Sequence, residues 1–66
     1  MEEETYAIKS GSYWAVRRIR DNQTLGYISW INVVSVMKVG NMFQVSLSAG
    51  RTALHDWTGR FVRFLY

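Results

Sequence analysis

The sequence predicts a mainly β fold, a small antiparallel barrel or bent meander of about five short strands with room for one short helix. Three observations point there. Five glycines, at positions 11, 26, 40, 50 and 59, punctuate the chain at intervals suited to short strands and tight turns. Apolar and polar residues alternate with a period of two in Thr5–Lys9 and again in Met42–Ser48. The most apolar stretch, Leu25–Val39, carries β-branched Ile31, Val33, Val34, Val36 and Val39, which lose rotamer freedom in a helix.

Taken in order, Thr5–Lys9 reads as the first strand, with Tyr6 and Ile8 on one face and Thr5, Ala7 and Lys9 on the other. Ser10-Gly11-Ser12 is a turn. Tyr13–Arg20 follows, with Trp14 and Val16 facing the core. A bulge near Arg17-Arg18 would bring Ile19 to the same side, because one extra residue reverses the alternation. Asp21-Asn22-Gln23-Thr24 supplies side chains that bond their own backbone, so Tyr13 to about Trp30 forms a hairpin.

Leu25–Val39 supports two patterns. Trp30, Val33, Val34 and Met37 fit the i, i+3, i+4, i+7 spacing of a helix, whereas the β-branched content favours a strand. Gly40-Asn41 decides for a hairpin of Val33–Val39 with Met42–Ser48, since a two-residue Gly-Asn loop between such runs is a hairpin signal. A single helical turn at Trp30–Asn32 would join it to the preceding strand. Arg51–Trp57 reads equally as loop, short helix or strand. The last element, Arg60–Tyr66, fits a helix through Phe61, Phe64 and Leu65 at i, i+3, i+4, but is read as a strand with Val62, Phe64 and Tyr66 on one face and Phe61, Arg63 and Leu65 on the other. Strands this short in so few residues resemble the architecture of SH3-like or OB-like barrels; no motif of a particular family is present.

At 66 residues the chain holds one domain, 5–66, preceded by an acidic and disordered leader, 1–4. Without cysteine there is no disulfide scaffold, thiolate zinc site or thiol nucleophile. No signal peptide or membrane span is recognisable, and a cytoplasmic location is expected. Asn22-Gln23-Thr24 matches a glycosylation acceptor by chance on that expectation. The formal charge is +3, but Glu2, Glu3 and Glu4 hold three of the five acids, so residues 5–66 carry eight cations against two anions. A body of that charge favours an acidic partner, or serves solubility alone.

The chain offers little for catalysis. His55 is the single histidine, and its neighbour Asp56 would point to the opposite side of an extended segment, so the two make no dyad. No catalytic residue, no metal ligand set and no cofactor is therefore expected, and the protein is read as non-enzymatic.

Cations interleaved with aromatics remain. One cluster is Tyr13-Trp14 with Arg17, Arg18 and Arg20; the other is Trp57, Arg60, Phe61, Arg63, Phe64 and Tyr66, and of these Tyr13, Trp57 and Phe61 are read as the stacking rings. Cations along phosphates beside rings that stack on bases are what nucleic acid, single-stranded above all, requires. The competing expectation is a protein–protein module, a small inhibitor or adaptor of the kind phages and mobile elements encode, that takes an acidic protein or self-associates. Its interface would be Phe61, Leu65 and Tyr66, because apolar residues on both faces of the last strand exceed what one small sheet covers.

Overall fold

In a computed structural model of the protein, which describes residues 2–65, the chain is mainly β. Seven strands form among the described residues: β1 (Thr5–Ser10), β2 (Tyr13–Arg18), β3 (Thr24–Ile28), β4 (Val33–Val39), β5 (Met42–Leu47), β6 (Thr52–His55) and β7 (Phe61–Phe64). They make two antiparallel sheets, β1-β2-β3 and β4-β5-β6-β7, in sequential order. The strand count thus exceeds the five expected, largely because Thr52–His55, ambiguous in sequence, pairs between β5 and β7. No described helix is long and apolar enough to cross a membrane.

The tight hairpins follow their turn chemistry. Ser10 faces Tyr13 and Val39 faces Met42, leaving two-residue loops Gly11-Ser12 and Gly40-Asn41. Gly40 has φ +61°, which a side chain would make costly, and it opens the β4–β5 loop. The expected hairpin of Val33–Val39 with the following strand is present. The expected helical turn at Trp30–Asn32 is not: the one 3-10 turn among the described residues lies at Ser48–Gly50.

Strand pairing defines the faces. Thr5, Ala7, Trp14, Val16 and Ile28 share the inner side of the first sheet; Tyr6, Ile8, Tyr13, Ala15, Arg17 and Tyr27 share the outer side. Val16 and Ile28 pack against Phe43, Val45, Leu47 and Ala53 from the second sheet in one buried cluster, with Ala7, Trp14, Trp30, Val33 and Val36 around it. Each large side chain buried there contributes about 1.5–3 kcal/mol, and a domain this small depends on all of them.

Three bulges shape the sheets, and two of them overturn expectations about which side chains turn inward. Val16 pairs with Gly26 and Arg17 with Thr24, so the extra residue is Leu25 on β3 rather than one on β2. β2 keeps its alternation through Arg18, and Ile19 lies beyond it, 55% exposed. On β7, Leu54 pairs with Arg63 and His55 with Phe61, which leaves Val62 as the extra residue. Phe61 and Phe64 therefore fall on one side, their rings 5.1 Å apart, rather than on opposite faces. The third bulge, at Val34 on β4, lets both Val33 and Val36 turn inward.

Candidate functional site

The free edges of β3 and β7 flank an open hollow of about 350 Å³ lined by Tyr27, Ser29, Trp30, His55, Gly59, Arg60 and Phe61. Its floor is a hydrogen-bonded relay. The Trp30 indole Nε1–H donates to His55 Nε2 at 2.9 Å, and His55 Nδ1 lies 2.8 Å from the Gly59 carbonyl. Because Nε2 accepts, the proton sits on Nδ1 and is donated to Gly59, so both ring nitrogens of the buried histidine are satisfied.

The wall carrying Arg60 is built by the β6–β7 loop. Asp56 Oδ1 accepts from the Thr58 backbone N–H (2.9 Å), the Thr58 hydroxyl (2.7 Å) and the Arg60 N–H (3.0 Å). Asp56 N–H in turn donates to the Arg60 carbonyl at 2.9 Å. Partial burial opposes the charged carboxyl, but the Thr58 hydroxyl and the Arg60 and Thr58 N–H groups outweigh it and hold Asp56 below the ordinary carboxylate range. His55 and Asp56 thus bond to separate partners.

This loop closes tightly on the first sheet. A Cβ on Gly59, where φ is +94°, would stand 2.7 Å from Val16 Cγ2, and one on Gly26 would stand 2.4 Å from the Thr58 carbonyl oxygen. Only hydrogen at both positions lets loop and strand approach so closely. At the other end of the hollow, Trp30 packs on Phe61 (5.6 Å) and Phe64 (5.5 Å).

Around the hollow runs a strip of exposed rings. Tyr27, 55% exposed, stands edge-on to Tyr13 at 5.1 Å and borders two neighbouring depressions as well. Phe61 and Phe64 continue the strip on the second sheet, where the Arg51 guanidinium carbon sits 3.9 Å from the Phe64 ring centroid.

Of the residues singled out in the sequence, the structure gathers Arg60 and Phe61 at the hollow and joins Tyr13 to it through Tyr27. The others lie elsewhere. Arg17 occupies the outer face opposite Tyr6, with Nε buried and without a hydrogen-bond partner. Arg18 is engaged: it donates to both Asp21 carboxylate oxygens, at 3.0 and 2.8 Å, and to Gln23 Oε1 at 2.9 Å. That bidentate hydrogen bond pulls the Asp21 carboxyl down to about 2. Arg20 is exposed, with Glu3 Oε1 at 3.5 Å, and the same oxygen lies 3.8 Å from Arg18 Nε. Trp57 is half-buried, and its carbonyl accepts from the Thr5 hydroxyl. Arg63 faces away from the core opposite Leu54. Leu65 is half-buried, and Tyr66 lies outside the described residues.

Comparison with known proteins brings no relative. The chain matches no protein-family model, no curated protein and no solved structure.

Sequence reasoning passed over Tyr27, Ser29, Trp30 and Arg51, and placed Phe64 in the second cluster without choosing it as a stacking ring. A signal for the first was present: with Ile28 turned inward, its strand neighbour Tyr27 must turn outward.

Proposed function

We propose that the protein is a non-enzymatic binding module for single-stranded nucleic acid, held across the seam between its two sheets. The observation that carries this reading is the strip Tyr13, Tyr27, Phe61 and Phe64, exposed on a basic protein and flanked by Arg60 and Arg51. Bases stack on such rings without regard to sequence, while arginines pair with phosphate. We read the two-sheet architecture as a partly open barrel of the OB or SH3 type, in which such a strip crosses a face rather than filling a core. Arg18 belongs to the turn that Asp21 organises, so the phosphate contacts fall to Arg60 and Arg51, with Arg17 and Arg20 at the margin. The test is competition between a labelled single strand and unlabelled duplex of equal length. Preferential displacement by single strand supports the reading, and equal displacement by duplex opposes it.

A second reading, a protein-binding or self-associating module, draws on one feature. β7 is an edge strand whose Phe61, Val62 and Phe64 are all exposed. The bulge at Val62 weakens it, since Phe61 and Phe64 pack together on one side. Sedimentation equilibrium separates the two readings: a dimer at micromolar concentration dispersed by Phe61→Glu favours association through β7, and a monomer throughout removes it.

A further inference from the structure

We infer that the hollow between β3 and β7 is a slot for one unpaired nucleobase whose phosphate rests on Arg60, an inference that rests on the nucleic-acid reading and specifies where a base is held. Its volume, about 350 Å³, lies at the lower end of the range for small-ligand sites, roughly 300–1,000 Å³. The lining divides into two kinds of group. The Trp30 N–H, both His55 nitrogens and the Gly59 carbonyl bond to one another, so they hold the floor in place. The polar side chains left at the rim are the Arg60 guanidinium, the Ser29 hydroxyl and the Tyr27 hydroxyl, none of which has a hydrogen-bond partner among the described residues.

One cation beside Tyr27, Trp30 and Phe61 asks for a ligand that is both flat and anionic. An inorganic phosphate would leave the rings uncovered, and a neutral aromatic would leave Arg60 without a counter-charge. A nucleotide meets both requirements, with its ring against Tyr27 or Phe61 and its phosphate on the guanidinium. The slot is also pre-organised. It is pinned at one end where Gly26 and Gly59 meet Thr58 and Val16, and at the other by Trp30 against Phe61 and Phe64, so little ordering is left to occur on binding.

The same chemistry can come from a base within a strand or from a free mononucleotide, and amide and indole NMR spectra of the full chain tell these apart. The protein is titrated separately with a short mixed-sequence single-stranded oligonucleotide, with nucleoside 5′-monophosphates and with inorganic phosphate. Expected are shifts of the Trp30 indole N–H and the Ser29 and Gly59 amides with the oligonucleotide, smaller shifts of the same signals with the monophosphates, and none with phosphate. Phe61→Ala should weaken oligonucleotide binding at least fivefold, the lower limit for losing one stacked base. Arg60→Gln should weaken it too and serves if Phe61→Ala does not fold. Oligonucleotide binding that leaves those three signals unmoved overturns the slot but keeps the wider reading. Absence of oligonucleotide binding with monophosphate shifts intact keeps the slot and assigns it to free nucleotide. Absence of both, or identical shifts with phosphate alone, overturns the slot.

Discussion

Trp30 and His55, 25 positions apart in sequence, are joined by a 2.9 Å hydrogen bond from the indole N–H to Nε2. The bond ties the β3–β4 connection to the end of β6 and sets the floor between the two sheets. Trp30→Phe keeps the ring packing on Phe61 and Phe64 but leaves a buried imidazole nitrogen without its donor. A loss of about 1–3 kcal/mol is expected, read from urea unfolding midpoints at constant m value.

Gly26→Ala should be among the most disruptive single changes outside the core. The new methyl meets a backbone oxygen at 2.4 Å, which cannot rotate away as a side chain could. Gly11→Ala is the control, since its Cβ meets nothing within 4 Å and its cost is confined to positive φ, about 1 kcal/mol. Thermal melts should place Gly26→Ala well below Gly11→Ala; equal melting temperatures would mean that the β6–β7 loop does not close on β3.

Beside Asp56, Asp21 contributes one part of the pH response. Its folded-state value, about 2, lies below the ordinary 3.8, because Arg18 bonds the ionised carboxylate. A depressed carboxyl stabilises the fold above its unfolded value and loses that contribution as pH falls through the folded one. The β2–β3 turn should therefore loosen between about pH 4 and pH 2. Carboxyl NMR titration checks the value, and Asp21→Asn should flatten the acid limb. An Asp21 midpoint at 3.8 or above would show that the Arg18 pairing does not persist in solution.

Glu3 sets a negative charge against two of the arginines. Glu3 stands between Arg18 and Arg20, so Glu3→Gln removes a counter-charge from both. These pairs are exposed or half-exposed, and the effect is small: a gain of about two- to fivefold in affinity for an anionic strand at low salt, vanishing at high salt. Filter binding at two salt concentrations reads it.

The parts of the fold legible in the sequence were those governed by local chemistry. Alternation placed β1, β2 and β5, and Gly40-Asn41 placed the β4–β5 hairpin. A bulge near Arg17 was legible but not the strand that carries it, and those at Val34 and Val62 were not legible at all, because bulges arise from pairing between strands. An extra residue at Val34 spaces Val33 and Val36 three apart, and one at Val62 does the same for Phe61 and Phe64. Three-residue spacing is also the signature of a helix, which explains the double pattern of Leu25–Val39 and of the last strand. The site followed the same division. Arg60 and Phe61 were found from composition, whereas Tyr27 and Trp30 join them only through contact between sheets. Arg18, conspicuous in the sequence, is occupied by Asp21 three residues away.

The central claim is that the aromatic seam binds single-stranded nucleic acid, and fluorescence anisotropy of a labelled oligonucleotide across a salt series tests it most directly. Engagement of about three phosphates gives a log–log slope near −2 from the single-strand rule of about −0.7 per phosphate. Tyr27→Ala should weaken binding by about 1–3 kcal/mol with the slope unchanged, since stacking is lost and phosphate contacts remain. No binding at low salt, or binding indifferent to Tyr27→Ala, would contradict the account.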